Sequence, residues 1–208
     1  MPARPKKPVK SYHHGDLRNA LLKAAREVLE ERGPSFLGLR EISRRVGVSA
    51  PSAYHHFPSR DAIALGLAEQ GASEMAECLT VRQCDGRGTL APYGEAYVAF
   101  VRANPALYRL MFGEGFPAVS QYSQAMRDLR KRSYDIMKSN LEKRLSEAEL
   151  PIAGLFLWAL VHGLGLLLID GQVVPGGDSK DIVRRVLQLA GTGLDDAGRE
   201  GLARILRR

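Results

Sequence analysis

Residues 39–63, "LREISRRVGVSAPSAYHHFPSRDAI", decide how the chain folds. Leu39 to Val46 puts Ile42 and Val46 on one helical face, and Gly47 stops that helix. Val48 then plugs the core, Ser49 is placed to cap a new helix, and Pro51 fits its first turn, where a missing N–H costs nothing. Pro58 ends this third helix two residues after His56. Helix, tight glycine turn and helix between Leu39 and Phe57 have the dimensions of a DNA-binding helix-turn-helix. A plain helical hairpin has the same pattern, so charge has to separate the two.

Residues 1–66 hold 12 Lys/Arg against 6 Asp/Glu, whereas residues 67–208 hold 18 against 17. A basic first third on a nearly neutral body is suited to a polyanion, either nucleic acid or an anionic membrane surface, although a merely soluble basic face has the same balance. The basic arm, residues 1–13, begins "MPARPKKPVK"; its three prolines keep it extended or flexible, and it lacks the apolar stretch of a secretory signal or anchor. Arm and charge asymmetry together tip the reading toward DNA.

The 208 residues, 45% hydrophobic and 25% charged, can bury a core without metal or disulfide staples. Cys78 and Cys84 are too few for a disulfide framework and point to a reducing cytoplasm; a redox pair would need an activating neighbourhood that is not visible around them.

Helical periodicity recurs along the chain and strand alternation is nearly absent, which makes the fold class all-α. The first helix is expected over Asp16–Arg32, closed by Gly33-Pro34. After the helix-turn-helix, Ser59 caps a long helix to about Val81. Further helices are expected over Leu90–Ala103, from Pro105 through Phe112, and over Ser120–Ala148, Ile152–Asp170, Ser179–Gly191 and Asp195–Leu206. The organisation is therefore a basic arm 1–13, a helix-turn-helix domain 14–60 and a larger helical bundle 61–208. Ile152–Ile169, "IAGLFLWALVHGLGLLLI", carries no charge and reaches the lower edge of membrane-spanning length. It has no basic flank and contains His162 and three glycines, so a buried or subunit-interface helix is expected, and no membrane.

Arg60 opens a helix whose dipole disfavours a cation there; a docked phosphate would favour it, as the free N–H groups and the guanidinium converge on one anion, whereas a surface arginine would turn to solvent. Tyr54 and His56 offer an O–H and an N–H to phosphate oxygens. Ser49, Ala50, Pro51 and Ser52, with His55, form the exposed start where base edges can be read. Arg40 can reach a guanine edge or the backbone. Consecutive histidines point to different sides of a helix, so His55 and His56 cannot readily grip one metal.

These residues resemble the helix-turn-helix of the TetR (tetracycline repressor) family, with its Gly-Val-Ser turn, Tyr-x-His/Tyr-Phe element and basic residue opening the next helix. The resemblance covers about residues 14–66. "YHHGDLRNALLKAA", "NPALYRLMF" and Trp158 with His162-Gly163 are similar to one subgroup bearing a Trp-His-Gly signature, which extends the likeness over most of the chain. The resemblance implies a homodimeric transcriptional repressor. Its N-terminal unit would bind a palindromic double-stranded DNA operator, and its bundle would hold the dimer interface and a pocket for a small-molecule effector.

Carried over, Arg40, Pro51 and Ser52 fall at base-facing positions, and Tyr54, His56 and Arg60 at phosphate-contacting ones; Ser59 caps the helix that Arg60 opens. The pattern is departed from at Gly38-Leu39, where Thr or Ser usually caps the second helix, at Ser43, usually alanine, and at Ala53, usually leucine. The last departure implies looser packing of the recognition helix. The pocket is drawn from Tyr93, Tyr97, Phe100, Met111, Phe112, Tyr122, Met126, Trp158 and His162, each of which also reads as plain core. The dimer interface is expected on the last two helices, or on the Ile152 helix with one of them.

An enzyme is the rival class. No Gly-x-Ser-x-Gly elbow, His-Glu-x-x-His, phosphate-cradling glycine loop or cysteine-histidine zinc spacing is present, so no catalytic residue, metal site or cofactor is expected.

Overall fold

The computed structural model describes residues 14–81, 91–113, 122–142, 145–173 and 179–192. Among them run α1 (His14–Arg32), a 3-10 turn (Pro34–Phe36), α2 (Leu39–Val46), α3 (Ala50–His56), α4 (Arg60–Val81), α5 (Ala91–Ala103), α6 (Pro105–Phe112), α7 (Gln124–Leu141), α8 (Leu150–Ile169) and α9 (Ser179–Thr192). No strand occurs among the described residues, and the all-α expectation holds. The expected arm 1–13, Cys84 and the expected helix Asp195–Leu206 lie outside them. The chain divides into two compact units after Leu67, within α4.

In the first unit α2 packs on α1 and α3. Leu39 and Ile42 are buried, and Ser43, at the same inward face, is buried with its hydroxyl donating to the Leu39 carbonyl at 2.5 Å. Gly47 closes α2 at φ 80°, a left-handed conformation that only glycine adopts without strain, while its N–H and that of Val48 both reach the Ser43 carbonyl. Ser49 then caps α3, Ala53 faces fully inward, and the buried Phe57 leaves the helix in extended backbone. Gly66 of α4 sits where an added Cβ would lie 3.0 Å from Leu22 and 3.3 Å from the Phe57 ring, so small size lets α4 approach α1 here.

Two of the three α2 arginines are bound internally. Arg44 grips Glu41 through both carboxylate oxygens, at 2.9 and 2.8 Å. Arg45 bonds Glu41 at 3.1 Å and reaches Glu31 of α1 at 3.0 and 2.7 Å, a side-chain strap from α1 to α2. These hydrogen bonds, first from Arg44 and then from Arg45, pull the Glu41 carboxyl from its ordinary 4.5 down to about 2.

In the second unit α5 is the central helix, packed against α8, α9 and α6. Gly94 of α5 lies under Leu187 of α9, where a Cβ would come within 2.4 Å, and Gly165 of α8 lies 3.1 Å under Val101 by the same measure. Both glycines let helices approach α5 closely. The sequence expectation for α7, Ser120–Ala148, is corrected at both ends: the helix runs from Gln124 to Leu141. Its start is set by Ser123, whose hydroxyl accepts the Met126 N–H at 3.1 Å and donates to Glu69 of α4 at 2.5 Å. Beyond its end, Glu149 folds back to accept from the Ser146 N–H at 2.8 Å and its hydroxyl at 2.6 Å, which makes a turn of a segment that reads as helical.

Because the folded pKa of Glu41 is depressed, its ion pairs contribute stability that is fully present above the ordinary value of 4.5 and is lost as pH falls toward about 2. Acid unfolding of the first unit, followed by helix signal across that window, is expected to weaken in pH dependence in Glu41→Gln. An unchanged acid transition would show that the strap carries none of it.

Candidate DNA-binding face and ligand cavity

The exposed end of the helix-turn-helix is built from caps. The Ser49 hydroxyl accepts the Ser52 N–H at 3.3 Å and shares a 2.7 Å hydrogen bond with the Ser52 hydroxyl. Both groups are therefore held at the start of α3, beside the exposed Pro51 and half-buried Ala50. Tyr54 is 46% exposed, His55 is exposed and His56 is half-buried. The two imidazole rings stand nearly perpendicular at 81°, with centroids 5.7 Å apart. No group of three or more His, Cys, Asp or Glu side chains among the described residues could hold a metal ion.

Ser59 caps α4 by accepting the Ala62 N–H at 3.1 Å. Arg60, at the first position of that helix, donates to the Pro34 carbonyl of the 3-10 turn at 3.0 Å. That bond is an internal reason for a cation at a helix start, additional to the phosphate and solvent alternatives open from sequence. It uses one of five guanidinium N–H groups and leaves the residue exposed. Arg40 is also exposed, and it is the one α2 arginine that pairs with no carboxylate among the described residues.

The second unit encloses a cavity of about 290 Å³ between α4, α5, α6, α7 and α8. From α4 it is lined by Ala72, Met75 and Leu79, from α5 by Tyr93 and Tyr97, and from α6 by Met111 and Phe112. Helix α7 contributes Met126, Arg130, Ser133, Tyr134 and Met137, and α8 contributes Pro151, Gly154, Leu155 and Trp158. Four of the chain's five methionines are in this wall, the fifth being Met1.

Of the nine residues from which the sequence reading draws the pocket, Tyr93, Tyr97, Met111, Phe112, Met126 and Trp158 line the cavity. Phe100, Tyr122 and His162 do not; Phe100 and Tyr122 are buried core, and His162 is a support behind the wall. Sequence reasoning missed Arg130, Tyr134 and the α4 residues as lining, and Tyr108 as the group that joins Tyr97 to His162. The signal for Arg130 was available: it lies four residues after Met126 on the same helical face.

Tyr108 is fully buried and joins two residues. Its hydroxyl bonds the Tyr97 hydroxyl at 2.7 Å and His162 Nδ1. Tyr97 is also hydrogen-bonded to Trp158, whose indole N–H can only donate. Burial lowers the His162 pKa, keeping the imidazole neutral. The arrangement that gives every hydroxyl an acceptor then runs from Trp158 to Tyr97 to Tyr108 to a bare Nδ1, an assignment made from the network. Burial raises Tyr93 and Tyr108 and pushes Tyr97 up to about 12, so all three remain neutral donors. Aromatic contacts reinforce the chain: Phe112 and Trp158 lie with ring centroids 5.2 and 5.7 Å from His162.

An all-helical chain with a capped helix-turn-helix in one unit and a lined cavity in another has the form of a helix-turn-helix regulator. Residues 21–67 match the family model described as bacterial regulatory proteins, tetR family, and residues 90–190 match that of the tetracyclin repressor-like C-terminal domain. The chain belongs to the tetR family. Over 100 residues it is 35% identical to the HTH-type transcriptional activator FasR of Mycolicibacterium smegmatis, a match that covers 46% of this chain and 45% of that protein. The chain thus spans less than half the length of that relative. A solved structure of a protein of unknown function from Rhodococcus sp. RHA1 is similar at TM-score 0.77 and 26% identity, over 89% of this chain and 98% of that one. A tetR-family transcriptional regulator from Streptomyces coelicolor shares the fold at TM-score 0.69 and 20% identity, over 92% and 86% of the two chains.

Replacing Tyr108 by phenylalanine removes the shared partner of Tyr97 and His162, and leaving buried polar groups unpaired costs about 1–3 kcal/mol. The denaturation midpoint of the second unit is expected to fall accordingly. A variant as stable as the parent would show that the hydrogen-bonded chain is not a stabilising element.

Proposed function

We propose that this transcriptional regulator is a ligand-responsive repressor that binds a palindromic operator as a homodimer and leaves it when a small molecule fills the cavity. The observation that carries the DNA reading is the division of labour on α2. Arg44 and Arg45 are spent on Glu41 and Glu31, while Arg40, at the start of α2, stays exposed and pairs with no carboxylate among the described residues. Arg40 and Ser52, with Pro51 and His55, read base edges, and Tyr54, His56 and Arg60 hold phosphates. Such a protein works in the cytoplasm, needs no cofactor and performs no catalysis.

The homodimer is supported by α8. Only 28% of its most apolar window is buried within the chain. Ile152, Phe156 and Leu167 are exposed, and Leu189 of α9 is 75% exposed. Gly163 falls on the stripe between Phe156 and Leu167, and a Cβ there would meet nothing within 4 Å. Glycine inside a helix costs about 1 kcal/mol relative to alanine, and nothing among the described residues requires it. A second copy of the helix crossing close at Gly163 does. In the Trp-His-Gly signature, which we take as the mark of a subgroup, Trp158 then serves the cavity, His162 anchors it and Gly163 serves the partner.

The half-sites read by two recognition helices lie about 34–36 Å apart on one DNA face. A ligand that binds better to a dimer with another spacing shifts the population off DNA, by no more than its differential affinity for the two states.

Fragments of the native genome retained by the protein supply the operator. On it, Arg60→Ala and Tyr54→Phe are expected to weaken binding across all sequences, with Arg60→Ala reducing the salt slope by about 1. Arg40→Ala is expected to relax base preference by about 1–3 kcal/mol at one position of each half-site. Tight binding by Arg60→Ala at every salt concentration would remove its phosphate role.

Gly163→Leu is expected to convert dimer to monomer in sedimentation and to lose operator binding without loss of helix content. A dimer unaffected by Gly163→Leu would place the interface elsewhere.

A further inference from the structure

We propose that the cavity of the second unit takes a lipophilic carboxylate, with the anionic head on Arg130 and the chain among the methionines. The proposal rests on the reading of this cavity as an effector site and adds the chemical class of the effector.

Arg130 is the one charged residue among the described residues lining the cavity. The other α7 cations paired there, Lys131 with Asp135 and Lys138 with Glu142, have carboxylates one helical turn away. Arg130 has none among the described residues, and its guanidinium donates no hydrogen bond to any of them. It lies instead over two aromatic faces, 5.3 Å from the Tyr122 ring centroid and 6.0 Å from that of Phe112. Those faces place a half-buried cation and compensate part of its lost hydration, but they accept none of its N–H groups.

A second donor is also unspent. Tyr97 is occupied by Trp158 and Tyr108, whereas Tyr93 has no hydrogen-bond partner among the described residues. No buried side-chain polar atom among the described residues lacks a partner, so the hydroxyl of the cavity-lining Tyr93 is taken to open onto the cavity surface. Burial keeps it protonated, and it is therefore a donor.

A largely apolar cavity with a cation that has no carboxylate partner among the described residues, and with a free hydroxyl at Tyr93, calls for a ligand with a compact anion at one end. A carboxylate supplies the charge and up to four lone-pair sites for these donors. A neutral lipophile would leave Arg130 uncompensated, and a cationic one would meet it with the same sign. The volume of about 290 Å³ is at the small end for ligand sites, which suits a single chain and has no room for a bulky group beside it.

Trp158, the chain's one tryptophan, lines the cavity and reports its occupation by fluorescence. The full-length protein is titrated with dodecanoate, dodecan-1-ol and dodecyltrimethylammonium, each below its micellar concentration. Dodecanoate is expected to bind about ten- to hundred-fold more tightly than the alcohol, the range of one hydrogen bond to a charged group, and the ammonium compound least. Arg130→Met, which keeps an apolar stem, is expected to erase the difference, and Arg130→Lys to retain most of it. Tyr93→Phe should weaken dodecanoate binding and leave the alcohol unchanged.

Equal binding of acid and alcohol, or preference for the ammonium compound, would overturn the carboxylate class and leave the effector cavity standing. No fluorescence response to any of the three, from protein that still binds its operator, would overturn both. Should Arg130→Met fail to fold, the acid-to-alcohol ratio of the unaltered protein and of Arg130→Lys decides.

Discussion

A helix that is apolar on every side has to be covered on every side, and α8 is such a helix. One chain covers part of it: Ala153, Leu157, Val161 and Leu164 are buried, and Gly165 lets α5 approach closely. Leu155 and Trp158 face a cavity that a ligand can fill, and Ile152, Phe156 and Leu167 face outward. Three different coverings therefore meet on twenty residues. On the proposed reading, core, effector and partner subunit act on the same rod of backbone, so occupying one face bears on the geometry of another without a long chain of intermediaries.

The first unit is organised around a different economy, in which cations are either used for folding or left for DNA. Arg45 straps α1 to α2, Arg18 lies over Phe57 at 5.0 Å and Arg32 over Phe36 at 4.2 Å. A small helical unit has little core to spare, and these side chains use their stems as packing and their charge as clasps. The basic surplus of the first third is thus partly structural, and net charge alone overstates what is available to a polyanion.

The helix-turn-helix was legible because each of its steps is marked by a residue with few alternatives: Gly47 at a left-handed φ, Ser49 at a cap, Pro51 in a first turn and Pro58 past an end. The ends of α7 were not legible, since the cap at Ser123 is fixed by a contact with Glu69 of α4, which no local pattern announces. The cavity was half legible for a related reason. Aromatic and methionine residues at helical spacing mark an interior, but periodicity does not separate a filled interior from an open one, and Phe100 is as aromatic as Tyr97. Arg130 was missed because an arginine on a largely polar helix reads as solvated, which outweighed its spacing of four from Met126; its place over Tyr122 and Phe112 turns it inward.

The four methionines around the cavity give that wall a character of its own. Thioether side chains are unbranched, polarisable and cheap to rearrange, so this lining adjusts to the outline of what enters. The polar side does the opposite: Trp158 and Tyr97 of the wall are locked through Tyr108 to His162 behind it and keep their positions. On the proposed reading, selection in such a site falls on charge and on where the charge sits, and on contour only so far as the small volume admits a single chain. Single-chain anions that differ in length and bend would be received alike, and the cell would be sensing a chemical class rather than a single molecule.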